Sequence, residues 1–111
     1  MKDFIDYLTK QIEAGKNETA RLTAEGRQDD ADFSKVRTNI YDIARTVTNA
    51  LKDRPGAGTE AVKNQFARFR TEWTSALHKA REHNDDRKIV IGETKLNALE
   101  DVIAHFEEIG K

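Results

Sequence analysis

Few side chains in this chain could do chemistry, and their spacing limits what that chemistry could be. His78, His83 and His105 are its three imidazoles. His78 and His105 fall on outward positions of helical segments. His83 ends the third segment, where an imidazole meets the last free carbonyls and the negative end of the helix dipole. Asp101 and His105 stand four apart, a spacing that could grip a divalent ion but more often makes a weak surface contact. A helical bundle that holds a two-metal centre turns carboxylates inward and carries Glu-x-x-His on two helices. No Glu-x-x-His occurs here. His-Glu-x-x-His, the phosphate-cradling Gly-x-x-x-x-Gly-Lys-Ser/Thr, Gly-x-Gly-x-x-Gly and Gly-x-Ser-x-Gly are missing too. So is a Glu-x-x-Glu pair of the kind helical nucleotide pyrophosphohydrolases use for magnesium. With no cysteine, disulfides, thiolate metal sites and thiol nucleophiles drop out together. The expectation is a non-enzyme with no catalytic residue, cofactor or metal.

A second pattern concerns nucleic acid. Phe66-Ala67-Arg68-Phe69-Arg70, with Lys63, Lys79 and Arg81, interleaves bases and aromatics in a way that could set arginines on phosphates. Both phenylalanines are needed in an apolar stripe, however, and the same segment carries Glu60, Glu72 and Glu82. Residues 1–31 hold five basic and seven acidic side chains, residues 32–83 ten and six, and residues 84–111 four and seven. A basic middle between acidic ends suits segments that pack side by side better than a domain searching for phosphate. Nucleic-acid binding through the basic faces of the second and third helices stands as the alternative reading.

The elements that position these residues follow from periodicity. Met1, Ile5, Leu8, Ile12, Gly15, Thr19 and Leu22 recur at helical spacing, and Gly26 is placed for a left-handed cap. Gly15 costs about 1 kcal/mol relative to alanine in a helix, so a kink near Gly15-Lys16-Asn17 is one possible outcome. Phe33, Val36, Ile40, Ile43, Val47 and Ala50 form the cleanest stripe, widened by Ala44 and Leu51 and preceded by Asp29, Asp30 and Asp32 as cap acceptors. Arg54-Pro55-Gly56-Ala57-Gly58 breaks it. Thr59 would cap a third helix striped by Val62, Phe66, Phe69, Trp73, Ala76 and Ala80, with Leu77 alongside, ended by Asn84-Asp85-Asp86. The fourth stripe is Leu96, Leu99, Ile103 and Phe106. Its start is open: Ile89-Val90-Ile91 fit either a helix capped by Asp85 or Asp86 or a short extended lead-in.

These patterns predict an all-α, antiparallel up-down four-helix bundle with helices at about 2-25, 32-53, 59-83 and 88-109, forming one domain over residues 1-111. Similar lengths and short turns would bring Gly15 opposite Trp73, a large-against-small pairing that could border a small-ligand pocket. At 37% hydrophobic and 35% charged the composition is that of a folded chain. No apolar run approaches the roughly 20 residues of a membrane span. The first residues, Met1-Lys2-Asp3-Phe4-Ile5-Asp6, have acids where a signal peptide is apolar. A cytoplasmic location, with no membrane, is expected.

Apolar residues left over from the four stripes suggest how such a protein acts. Tyr7 and Tyr41 map to outward positions, and a helix starting before Ile89 turns Val90 and Ile91 away from the seam. Ile89, Val90 and Ile91, with Val102, Ile109, Tyr7 and Tyr41, are the candidate surface for a protein partner or a homodimer. The competing reading has residues 89–91 cover the open end of the bundle.

Overall fold

The computed structural model describes residues 1–109 and contains four helices: α1 (Lys2–Ala24), α2 (Gln28–Leu51), α3 (Gly58–Glu82) and α4 (Asp86–Ile109). They form an antiparallel four-helix bundle, with no strand among the described residues. No helix there is long and apolar enough to cross a membrane.

Local chemistry explains the boundaries. At the end of α1, Gly26 is left-handed (φ 76°), its N–H donates to the Thr23 carbonyl and that of Arg27 to Leu22. At the end of α3, Asn84 (φ 52°) repeats the motif, with Asn84 N–H on Arg81 and Asp85 N–H on Ala80. Both are the left-handed terminus that satisfies the last free carbonyls. The first of these turns feeds straight into α2, which begins at Gln28, earlier than the aspartates suggest. Asp29 and Asp30 lie inside its first turn, favourable for the dipole, but neither caps it. Similarly α3 begins at Gly58 rather than after a Thr59 cap. A side chain at Gly58 would strike the Lys52 carbonyl. In α4, the Asp85 carboxylate accepts the Lys88 N–H at 3.1 Å. That cap starts the helix at Asp86, so Ile89-Val90-Ile91 are helical.

α1 runs unbroken through Gly15. The glycine lies flat against α2, where a methyl group would run into the Thr38 side chain. Hydroxyls line the seam: Thr19 donates to the Gly15 carbonyl at 2.8 Å and meets Ser34 at 2.8 Å. Gly15 therefore faces Thr38, not Trp73, and the expected pairing of Gly15 with Trp73 is not formed.

The main core gathers at the end of the molecule that holds the chain's N-terminus and the α2–α3 loop. Phe4, Phe66 and Phe106 meet edge to face there, Phe4–Phe106 at 5.3 Å and Phe66–Phe106 at 5.7 Å between ring centres. Leu8, Ile40, Val62, Leu99 and Val102 pack around them. Phe4 was not among the stripe residues expected for α1, yet it is fully buried. On α4 the buried positions are Ala98, Leu99, Val102 and Phe106 rather than the Leu96–Leu99–Ile103–Phe106 line. On α2 they include Tyr41 and Thr48, whose hydroxyl donates to the Ala44 carbonyl.

Away from this core the bundle becomes two hairpins, α1–α2 and α3–α4. α2 and α4 pack against each other, whereas the backbones of α1 and α3 do not come into packing contact. Leu22 and Ala31 at one tip, and Leu77 and Ala80 at the other, are buried but stand outside the shared core. The only ion pair among the described residues that bridges the two tips is a long one, Arg87 to Asp32 at 3.7 Å. The molecule is accordingly broad and thin, 46 × 35 × 20 Å.

Candidate functional site

The surface expected around residues 89–91 does not form as one patch. Val102 is 0% exposed and Tyr41 2%, so neither can belong to an outer surface. Both belong to the core because the buried face of their helix is rotated relative to the predicted stripe. Tyr7 is half-buried and turned toward α4. Val90 (42% exposed) and Ile109 (40%) are open to solvent but lie near opposite ends of α4, about 28 Å apart along the helix. Ile89 is half-buried, and Ile91 lines a groove between α3 and α4.

The tyrosines instead converge on one carboxylate. Tyr7 donates its hydroxyl to Asp101 Oδ2 at 2.5 Å, and Tyr41 donates to the same oxygen at 2.7 Å. The His105 ring stacks on Tyr7 at 3.9 Å, its Nδ1 lies 3.0 Å from the Asp101 backbone carbonyl, and Asp101 Oδ1 is 3.6 Å away. Burial pushes the Tyr7 phenol well above its ordinary pKa, and its bond to the anionic Asp101 adds to that; Tyr41 is raised for the same two reasons. Burial alone would raise the Asp101 carboxyl, but the two phenol donors, His105 and Arg37 outweigh it and hold the group below its usual range. These shifts run away from neutrality, the reverse of what a general acid or base needs. The Asp101–His105 pair read as a possible ion grip has protein partners instead. The cluster links α1, α2 and α4 across a half-buried boundary. Among the described residues no three His, Asp or Glu side chains gather to hold a metal ion.

A concave feature lies between α3 and α4 toward their tip. It is a groove of about 490 Å³ whose apolar wall includes Trp73, Ala76, Leu77, Ala80 and Ile91, with Gly92 at its base. Lys79, Lys88 and Lys95 border it, along with His83 and one acid, Asp85. Gly92 lets α4 approach Leu77, the nearest side chain to where its Cβ would stand. Trp73 stacks on Phe69 at 5.0 Å, and the Lys95 ammonium lies 5.9 Å from the indole centre. His83 is exposed, its Nδ1 2.8 Å from the Lys79 carbonyl, as expected of a residue at a helix end.

Helical geometry relates this groove to the core. Trp73 is seven residues beyond Phe66, and Lys95 and Lys88 are eleven and eighteen before Phe106. Each offset is close to a whole number of turns, so these residues share helix faces with the core phenylalanines. In the core half, Phe4 of α1 fills the space between those faces. In the tip half no side chain of α1 or α2 lines the space between them. Trp73 belongs to the third apolar stripe in the sequence, whereas nothing in the stripes marks Lys79, Lys88 and Lys95 as groove residues. The offsets from Phe106 were the signal that could have found the two on α4.

The basic stretch on α3 is not wholly free. Arg70 is held in a two-pronged pair by Glu100 at 2.6 and 2.8 Å.

Comparison with protein-family models, with curated proteins and with solved structures gives no match for the chain.

Proposed function

We propose that the chain is a small, non-catalytic, cytoplasmic interaction module that works by presenting a helical surface to a partner protein. The observation that carries this reading is the α3–α4 groove, where a tryptophan and aliphatic side chains line the continuation of the core faces without a covering helix. A concave, mainly apolar wall with a few polar groups on its rim is the usual form of a binding site, and tryptophan is enriched where interfaces hold most of their energy. The polar cluster at Asp101 supports the scaffold from the side and leaves the groove clear.

Site-specific photo-crosslinking in cells tests the reading. A photoreactive residue at position 91, inside the groove, should give an adduct with one discrete protein. The same group at position 68, on the exposed face of α3, should not. Equal adducts from both positions, or none from position 91, would contradict it.

A further inference from the structure

The groove's two halves differ in one respect that bears on what it takes. Where Phe4 sits, α4 offers Leu99, Val102 and Phe106. Where the groove is open, the same face of α4 offers Lys88, Ile91, Gly92 and Lys95, and α3 adds Lys79. The seat keeps its apolar floor and gains three cations. Lys88 has a distant partner in Asp85, with their charged atoms 4.0 Å apart. Neither Lys79 nor Lys95 has a carboxylate within ion-pair distance among the described residues. The floor runs from Trp73 to His83, ten residues or about 15 Å, which matches about three turns of a helix lying lengthwise.

Resting on the reading of this groove as a partner site, we infer that its occupant is an acidic amphipathic helix of another protein. Its apolar face, at positions i, i+3, i+4 and i+7, lies against Trp73, Leu77, Ala80 and Ile91. Its flanking glutamates or aspartates face Lys79, Lys88 and Lys95. It extends in the tip half the packing that α1 provides in the core half. A basic helix of the same shape would set like charges across the rim and be rejected, so the lysines supply selectivity as well as attraction.

Trp73 is the chain's single tryptophan, so its fluorescence reports on the groove. The full chain is titrated at low salt with a twelve-residue helical peptide bearing leucines on one face and glutamates on the flanks. Parallel titrations use the same peptide with lysines for glutamates and a random DNA duplex. The acidic peptide should shift the emission to the blue and bind at least about tenfold tighter than the basic one. Its affinity should fall by about tenfold or more between 50 and 500 mM salt, and Lys88→Glu/Lys95→Glu should reverse the peptide preference. Equal, salt-insensitive binding of both peptides would overturn the acidic occupant while leaving the groove a partner site. No response to either peptide would overturn both readings. A duplex that binds more tightly than the acidic peptide would make the lysines phosphate contacts instead. An emission that changes with protein concentration alone would assign the groove to a second copy of the chain. Either result overturns the inference.

Discussion

The ammonium of Lys95 lies 5.9 Å from the centre of the Trp73 indole, so a cation borders the largest apolar side chain of the groove. The two come from adjacent antiparallel helices, and each shares its helix face with a phenylalanine of the core. Their contact lies where the filled half of the groove gives way to the open half. Replacing Lys95 with methionine keeps the packing stem and removes the charge. Stability should change by less than about 1 kcal/mol in a denaturant titration, while affinity for the acidic peptide should fall severalfold. A large loss of stability would mean that Lys95 is chiefly a packing residue.

The carboxylate of Asp101 accepts two phenol donors through one oxygen, so its charge matters more than its shape. Asp101→Asn should lower stability by about 1–3 kcal/mol, read as a fall of several degrees in Tm. Tyr41→Phe, which removes one donor, should cost about 1 kcal/mol. Thermal unfolding by circular dichroism measures both. An asparagine variant as stable as wild type would show that the cluster contributes no more than its packing.

The same cluster contributes at both ends of the pH profile. The folded state holds Asp101 below its unfolded pKa. Its contribution is therefore complete above about pH 4 and is lost as the pH falls through the lower, folded value. Tyr7 and Tyr41 are raised above their unfolded value of 10.0. Their contribution is complete below pH 10 and is lost as the pH rises beyond it, where unfolded tyrosine ionises and the folded phenols resist. Absorbance titration of the phenols should show both tyrosines ionising only with unfolding. Reversible titration of either one near pH 10 in the folded protein would contradict the cluster.

Gly15 and Gly92, both inside helices, should respond differently to alanine. At Gly15 the new methyl group meets Thr38 on the facing helix, and the strain should exceed the roughly 1 kcal/mol gained in helix propensity. Gly15→Ala should destabilise, and adding Thr38→Ala should recover part of the loss. At Gly92 the neighbour is Leu77, whose Cδ1 would lie 3.1 Å from the added carbon, a far milder crowding than at Gly15. The propensity gain there offsets the crowding, so Gly92→Ala should be close to neutral, with α4 held slightly further from Leu77. Denaturant midpoints decide the matter, and a stabilising Gly15→Ala would mean the α1–α2 seam is looser than described.

These contrasts show what was legible in the sequence. The number of helices, their direction and the turns at Gly26, Pro55 and Asn84 follow from local rules, because punctuating residues act through their own backbone. Which neighbour in an apolar pair faces inward does not. Phe4 and Ile5 are adjacent, as are Val102 and Ile103, and a stripe drawn in steps of three and four accepts either. The tyrosines map to outward positions because nothing near them in sequence shows that Asp101, 60 and 94 residues away, accepts their hydroxyls. The lack of packing between α1 and α3 was equally hidden, since the apolar stripe continues along both halves of α3. α1 instead lies close against α2 at Gly15 and Thr38.

The most direct measurement is collisional quenching of Trp73 fluorescence by iodide, caesium and acrylamide, each normalised to free N-acetyltryptophanamide. An open groove with a cationic rim predicts that acrylamide reaches the indole and that iodide quenches it more strongly than caesium. The iodide advantage should shrink as sodium chloride is added. An indole shielded from all three, or one quenched better by caesium than by iodide, would contradict an exposed, lysine-bordered seat between α3 and α4.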